Sequence, residues 1–144
     1  MTADRPSAPS GSGARMVELD REECLSLLAT LPMGRVGFTQ RALPVIRPVN
    51  HLVTDDGDIV IRTHARAALL TSASVSEVVV YEADEIDPGT RTGWSVMVTG
   101  TASRVTEPQA LSRYHAELRP WVHKEMEHVV LIRGELVTGY RLVR

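Results

Sequence analysis

Three places in this 144-residue chain carry side chains able to do chemistry alone, and each lacks a part. Ser95 lies in the run Gly-Trp-Ser-Val-Met (93–97). A nucleophile elbow needs glycine where Met97 stands and a strand-to-helix turn, whereas this serine falls inside an apolar run that reads as a strand. His123 and His128 are five residues apart in HKEMEH (123–128), which on a helix separates them by about 140°. They cannot share a metal ion in that arrangement, and the segment reads as a polar connector. Cys24 sits on the apolar stripe of a helical segment, where a thiol acts as a small buried hydrophobe rather than a nucleophile.

Any further chemistry must come from residues that the fold brings together. From Asp20, the segment DREECLSLLATL places Cys24, Leu27, Leu28 and Leu31 at helical spacing, with Asp20 and Glu23 as a capping box. Pro32 and Gly34 stop that helix. The period then changes to two. Residues 34–40 alternate Val36 and Phe38 with small or polar neighbours, and 43–54 is a longer β-branched run, so the pair reads as a hairpin. The Asp-Asp-Gly-Asp stretch (55–58) is a turn with Gly57 free to take a positive φ, and Ile59–Thr63 returns as the next strand. Proline has no donor for a sheet ladder, so the strand around Pro48 must be an edge, a break or a bulge there.

Downstream, 64–74 has the Ala and Leu content of a short helix, and 77–87 is an apolar strand that becomes acidic. The run 93–107 follows, long enough for one bent strand or two, with a bend or bulge expected at Gly100. Thr106, Pro108 and Gln109 read as a helix start, and Pro120 as its end. The final strand, 128–144, is expected to break at Gly134 and Gly139. About six strands joined mostly as hairpins, with few helices, predict a mainly β, antiparallel barrel rather than a parallel α/β sheet. Neither G-x-G-x-x-G nor G-x-x-x-x-G-K-[ST] occurs, so the usual nucleotide-phosphate loops are missing.

Composition narrows the field further. The chain is 43% hydrophobic and 24% charged, which fits one globular domain over 16–144. Residues 1–15, rich in Pro, Ser, Gly and Ala, are expected to form a disordered tail. A net charge of -2 with scattered arginines offers no electrostatic pull toward nucleic acid or an acidic membrane. The single cysteine and the lack of an apolar leader or span lead to the expectation of a cytoplasmic protein.

Set in order, LPMGRVGF (31–38), LPVIRPVNHLVTDDGDIVIRT (43–63) and VVVYEADEIDPGTRTGWSVMVTGTA (78–102) resemble the pyridoxamine 5'-phosphate oxidase-like family of FMN-binding split β-barrels. The resemblance covers about residues 16–143. It implies a homodimer with FMN in a groove at the interface, and a cofactor-binding set of Arg47, Pro48, Val49, Asn50, Arg62, Thr63, His64, Arg66 and Trp94. In such relatives the P-V-N backbone runs along the isoalloxazine edge. The Arg and Thr of the next strand approach the phosphate, and the Trp of G-W-S-V reaches the flavin from the partner subunit.

The residue types suit those roles. A proline-disrupted strand leaves backbone donors and acceptors open, and a guanidinium forks onto a phosphate dianion. Other readings stand beside these: Arg62 pairing across the sheet with a carboxylate such as Glu82, and Trp94 as a plain core or interface tryptophan. The chain departs from the family at Ala67, about where many relatives place a phosphate-binding lysine. His64 or Arg66 could supply the cation. By this resemblance the expected activity is an FMN-dependent oxidoreductase of unassigned substrate. The alternatives are a non-catalytic flavin carrier or sensor, a deazaflavin-dependent reductase, and a structural barrel without ligand.

Overall fold

In the computed structural model, which describes residues 13, 15–63, 77–118 and 128–144, one eight-stranded antiparallel sheet curls until it closes. The elements are β1 (Arg15–Glu18), α1 (Arg21–Leu28), β2 (Met33–Gln40), β3 (Leu43–Val53), β4 (Ile59–Thr63), β5 (Val78–Asp87), β6 (Thr92–Arg104), α2 (Pro108–Glu117), β7 (His128–Ile132) and β8 (Leu136–Val143). The strand order is β1-β8-β6-β5-β2-β3-β4-β7, and a β6–β7 pairing closes six of the strands into a barrel.

Closure depends on β6 changing partner. Gly93–Thr99 pair with β8, and Ala102–Arg104 with β7. Gly100 lies between the two pairings, and a Cβ there would stand 1.7 Å from the Arg133 carbonyl oxygen. Glycine is required because another backbone crosses where a side chain would be. The bend expected at Gly100 is therefore this crossover.

The first helix forms as its sequence dictates. Asp20 Oδ1 accepts from the Glu23 N–H at 2.8 Å while Glu23 Oε1 accepts from the Asp20 N–H at 3.5 Å, which is the capping box. Cys24 and Leu28 are fully buried in the main core. Burial, aided by Asp20 and Glu23, pushes the Cys24 thiol pKa up and keeps it inert.

The β2–β3 hairpin turns on Arg41 and Ala42, both at positive φ (50° and 64°), the geometry that matches the twist of the flanking strands. Gly57 takes a φ of 83°, as its turn requires.

Four local expectations need correcting or setting aside. The N-cap of α2 is Glu107, not Thr106, because the longer carboxylate reaches both the Gln109 N–H (3.0 Å) and the Ala110 N–H (2.7 Å). Gly139 does not interrupt β8; it thins the strand so that Cys24 can approach, a Cβ there falling 2.7 Å from the Cys24 sulfur. Arg15, the last residue assigned to the tail, pairs with Val143 in β1. The expected helix over 64–74, the helix stop at Pro120, His123 and the rest of the tail apart from Gly13 lie outside the described residues.

Candidate functional site

Among the described residues, the sheet parts between β3 and β4. β3 pairs with β2 along its whole length from Leu43 to Asn50, but with β4 only over His51–Val53. Continuing the β3–β4 register beyond His51↔Ile61 sets Asn50 opposite Arg62 and Val49 opposite Thr63, where no strand pairing is formed. β4 meanwhile runs paired with β7 to its end at Thr63. The result is a fork with a strand edge on one arm. Pro48 lies on that edge half of β3, opposite Arg35 of β2, which is where a residue without an N–H is tolerated.

The fork gathers most of the residues singled out from sequence. Arg47 and Pro48 are exposed, and Val49 and Asn50 are half-buried. The Arg47 guanidinium donates to the Ile46 carbonyl at 3.0 Å. The Asn50 amide donates weakly, at 3.4 Å, to the Pro32 carbonyl. Asn50 also borders a pocket of about 390 Å³ between the end of α1 and the end of α2.

On β4, side chains alternate faces. Ile59 and Ile61 join the barrel core, and Val60 joins a smaller cluster under α2 with Leu118 and Val129. Arg62 follows Val60: its Nη1 donates to the Leu118 carbonyl at 3.0 Å, and burial lowers its pKa. Thr63 follows Ile61 and is 6% exposed. Its Oγ1 is buried with no hydrogen-bond partner. A buried hydroxyl left unsatisfied costs about 1–3 kcal/mol, so an acceptor or donor arriving at the fork would be favoured.

Arg62 does not pair with Glu82. Glu82 lies opposite Arg35 across β2–β5 and takes its guanidinium through two bonds of 3.1 Å, with Asp84 adding a third at 3.1 Å. Burial, with Asp84 beside it, raises the Glu82 pKa against the pull of Arg35.

Trp94 is not brought to the fork of its own chain. Its indole is 6% exposed, part of the main core, and it borders a second depression of about 580 Å³ with Leu27, Glu85 and Arg141. His64, Arg66 and Ala67 lie outside the described residues.

The sequence reading missed two groups at the fork. His115, in the last turn of α2, is half-buried, and burial and the nearby Arg62 charge lower its pKa. His51 is 3% exposed and bonded to Tyr81 Oη and the Leu28 carbonyl. The signal for His51 was in the pattern: it shares the inward parity of Val49 and Val53, so a polar ring was bound for the core.

The arrangement can hold a planar ligand along a backbone edge, with a cation, an amide and an unsatisfied hydroxyl at one end. The sequence pattern of the pyridoxamine 5'-phosphate oxidase family matches residues 20–141. The uncharacterized protein Rv0080 of Mycobacterium tuberculosis is 52% identical over 136 residues, which is 92% of this chain and 89% of that one. Among solved structures, the FAD binding protein of Mycobacterium smegmatis is 28% identical with a TM-score of 0.68, covering 90% of this chain and 100% of its own. A candidate pyridoxamine 5'-phosphate oxidase from Corynebacterium glutamicum is 30% identical with a TM-score of 0.72, covering 88% of this chain and 93% of its own.

Proposed function

Because the chain belongs to the pyridoxamine 5'-phosphate oxidase family, we propose that it binds a flavin at the β3–β4 fork, with FMN as the cofactor, and serves as an FMN-dependent oxidoreductase. The observation that carries this reading is the fork itself. The unpaired edge at Pro48–Asn50 faces the half-buried Arg62 and the unpartnered buried hydroxyl of Thr63. Backbone groups of the edge would meet the pyrimidine ring, Asn50 would add an amide, and Arg62 and Thr63 would take the phosphate end. These two side chains leave β4 on opposite faces, so they would grip a phosphate from both sides of the strand's end. His64 and Arg66, next in sequence, are the candidates for the cation that Ala67 lacks.

A bound flavin supplies hydride and electron transfer by its own chemistry. The protein's part is to bind and orient the ring, exclude water and set access. FAD is the nearest competitor, since the M. smegmatis relative is described as an FAD binding protein; deazaflavin is the next. A second reading, a flavin carrier, is favoured by what the titratable groups at the fork already do. Arg62 is bonded to the Leu118 carbonyl, and His51 spends both ring nitrogens on Leu28 and Tyr81.

We further propose a homodimer, in which Trp94 of the second subunit would approach the flavin. The outer face of the sheet supports it. Ile46, Gly37, Val80, Thr99 and Leu136 form one row across five strands, with Ile46 65% and Leu136 57% exposed and Val78, Met97 and Tyr140 exposed beside them. An apolar face of that kind marks an interaction surface. A cytoplasmic location accords with the lone buried Cys24, and no helix among the described residues is long and apolar enough to cross a membrane.

The test of function is a set of equilibrium titrations with FMN, FAD, riboflavin and a deazaflavin, followed by turnover with NAD(P)H under air. Tightest binding of FMN with catalytic turnover is the expected result. Binding without turnover would select the carrier, and preference for FAD or deazaflavin would reassign the cofactor.

A further inference from the structure

His51 is the last residue of β3 paired with β4 before the fork opens. Its backbone N–H donates to the Pro32 carbonyl at 3.0 Å. Its ring lies 2.9 Å, through Nε2, from the Leu28 carbonyl. A carbonyl only accepts, so Nε2 carries the hydrogen and Nδ1 of the neutral ring must be the acceptor. Tyr81 Oη stands 2.5 Å from Nδ1 and therefore donates to it. One ring thus fixes the root of the fork to the last turn of α1 on one side and to β5 on the other. The same hydroxyl is also 3.3 Å from the Val49 carbonyl, an alternative acceptor on the edge strand.

Resting on the flavin reading above, we propose that His51, acting through Tyr81, is the positioning residue of the flavin-binding edge. The neutral ring fixes the root of the edge, from which Val49 and Asn50 extend, between α1 and β5; a protonated ring can no longer accept from Tyr81 and loosens that hold. With both ring nitrogens protonated, Nδ1–H faces the phenol oxygen, whose single hydrogen must find another acceptor. The charge would also be buried. Burial already pulls the His51 pKa below its ordinary value, outweighing the Leu28 bond that opposes it, and burial pushes the Tyr81 pKa up so that it stays a donor.

From the elements around it, the ring meets the Leu28 carbonyl of α1 and the Tyr81 phenol of β5, while the His51 backbone bonds the Pro32 carbonyl leading into β2 and pairs with Ile61 of β4. The Cys24 thiol shares the core cluster. Arg35 and Glu82 influence Tyr81 from their own position on the outer face.

The test compares FMN affinity of the wild type and Tyr81→Phe at each pH from 5 to 8. The phosphate titrates near pH 6 in both and so cancels. Tyr81→Phe leaves no bond at Nδ1 for protonation to break, so the two affinity curves should lie apart at pH 8 and converge as the pH falls. Affinity at pH 8 should also drop severalfold. A purely structural hydroxyl would lower affinity equally at every pH, which would overturn the proposal.

Two measurements on the wild type need neither flavin nor a stable variant. Long-range 1H–15N spectra should show His51 neutral at pH 7 with its proton on Nε2, and amide exchange at Val49 and Asn50 should quicken as His51 charges. Exchange at these amides that ignores His51 protonation, or a proton found on Nδ1, would overturn the positioning role. A wild type that binds no flavin at any pH would remove the flavin reading instead, leaving the exchange result to judge His51.

Discussion

Replacing Arg62 with alanine separates a ligand-binding role from a structural one. In the structure the guanidinium donates to the Leu118 carbonyl at 3.0 Å, and Leu118 is 4% exposed. Losing a half-buried charged donor and stranding a buried carbonyl costs about 1–3 kcal/mol. At roughly 2–4 °C per kcal/mol for a chain of this size, the apo melting temperature should fall by roughly 2–12 °C. The ligand effect is a separate quantity. A charge-assisted bond to phosphate contributes about 1.5–3 kcal/mol, and 1.4 kcal/mol is tenfold, so FMN should bind about tenfold to a hundredfold more weakly. Riboflavin, with no phosphate, should bind wild type weakly and respond little to the substitution. The assay is four titrations, FMN and riboflavin on each protein, beside two apo melting curves. FMN affinity that is unchanged, or that falls only in step with riboflavin, refutes the phosphate assignment and leaves His64 or Arg66 to supply the cation.

Three further outcomes follow from the same geometry. Gly100→Ala should cost more than about 4 kcal/mol and leave little soluble folded protein, because its Cβ would meet Arg133 backbone at 1.7 Å and no side-chain rotation relieves that; a melting temperature within a few degrees of wild type would contradict the crossover. Stability should be flat above pH 6.5 and decline as pH falls below it, since His51 binds its proton more weakly folded than unfolded, and decline again above pH 9, where the raised Cys24 pKa makes the folded state the better proton binder; melting temperatures across pH 5–10 would show it, and a rise in stability on acidification from pH 7 to 5.5 would count against it. Sedimentation at micromolar concentration should give a dimer that Leu136→Glu shifts toward monomer, and a monomeric wild type would remove the outer sheet face as an interface.

Much of the fold was legible because its signals are local. The capping box at Asp20 and Glu23, the alternation through Val36 and Phe38, and the positive φ of Gly57 each depend on neighbours a few residues away. Proline chemistry alone called for an edge, a break or a bulge at Pro48, and the strand pairing makes it an edge. What escaped the sequence is long-range. The rung between Ala102 and Ile132 that helps close the barrel, the Gly139 hollow for Cys24, and the Tyr81–His51 bond spanning 30 positions leave no mark within a window of ten residues. Arg62 shows the same limit: its residue type suited a phosphate or a carboxylate, and only the tertiary structure shows it against the end of α2. The choice of Thr106 over Glu107 as the cap failed for a smaller reason, two adjacent oxygen-bearing side chains of which the longer reached two amides.

The central claim is that this chain carries a flavin, and an absorption spectrum of the freshly purified protein tests it most directly. The account predicts flavin bands in that spectrum, with FMN recovered on denaturation, or their perturbation when FMN is added to protein purified without it. A colourless protein whose titration with FMN, FAD and deazaflavin leaves every spectrum unchanged would contradict it.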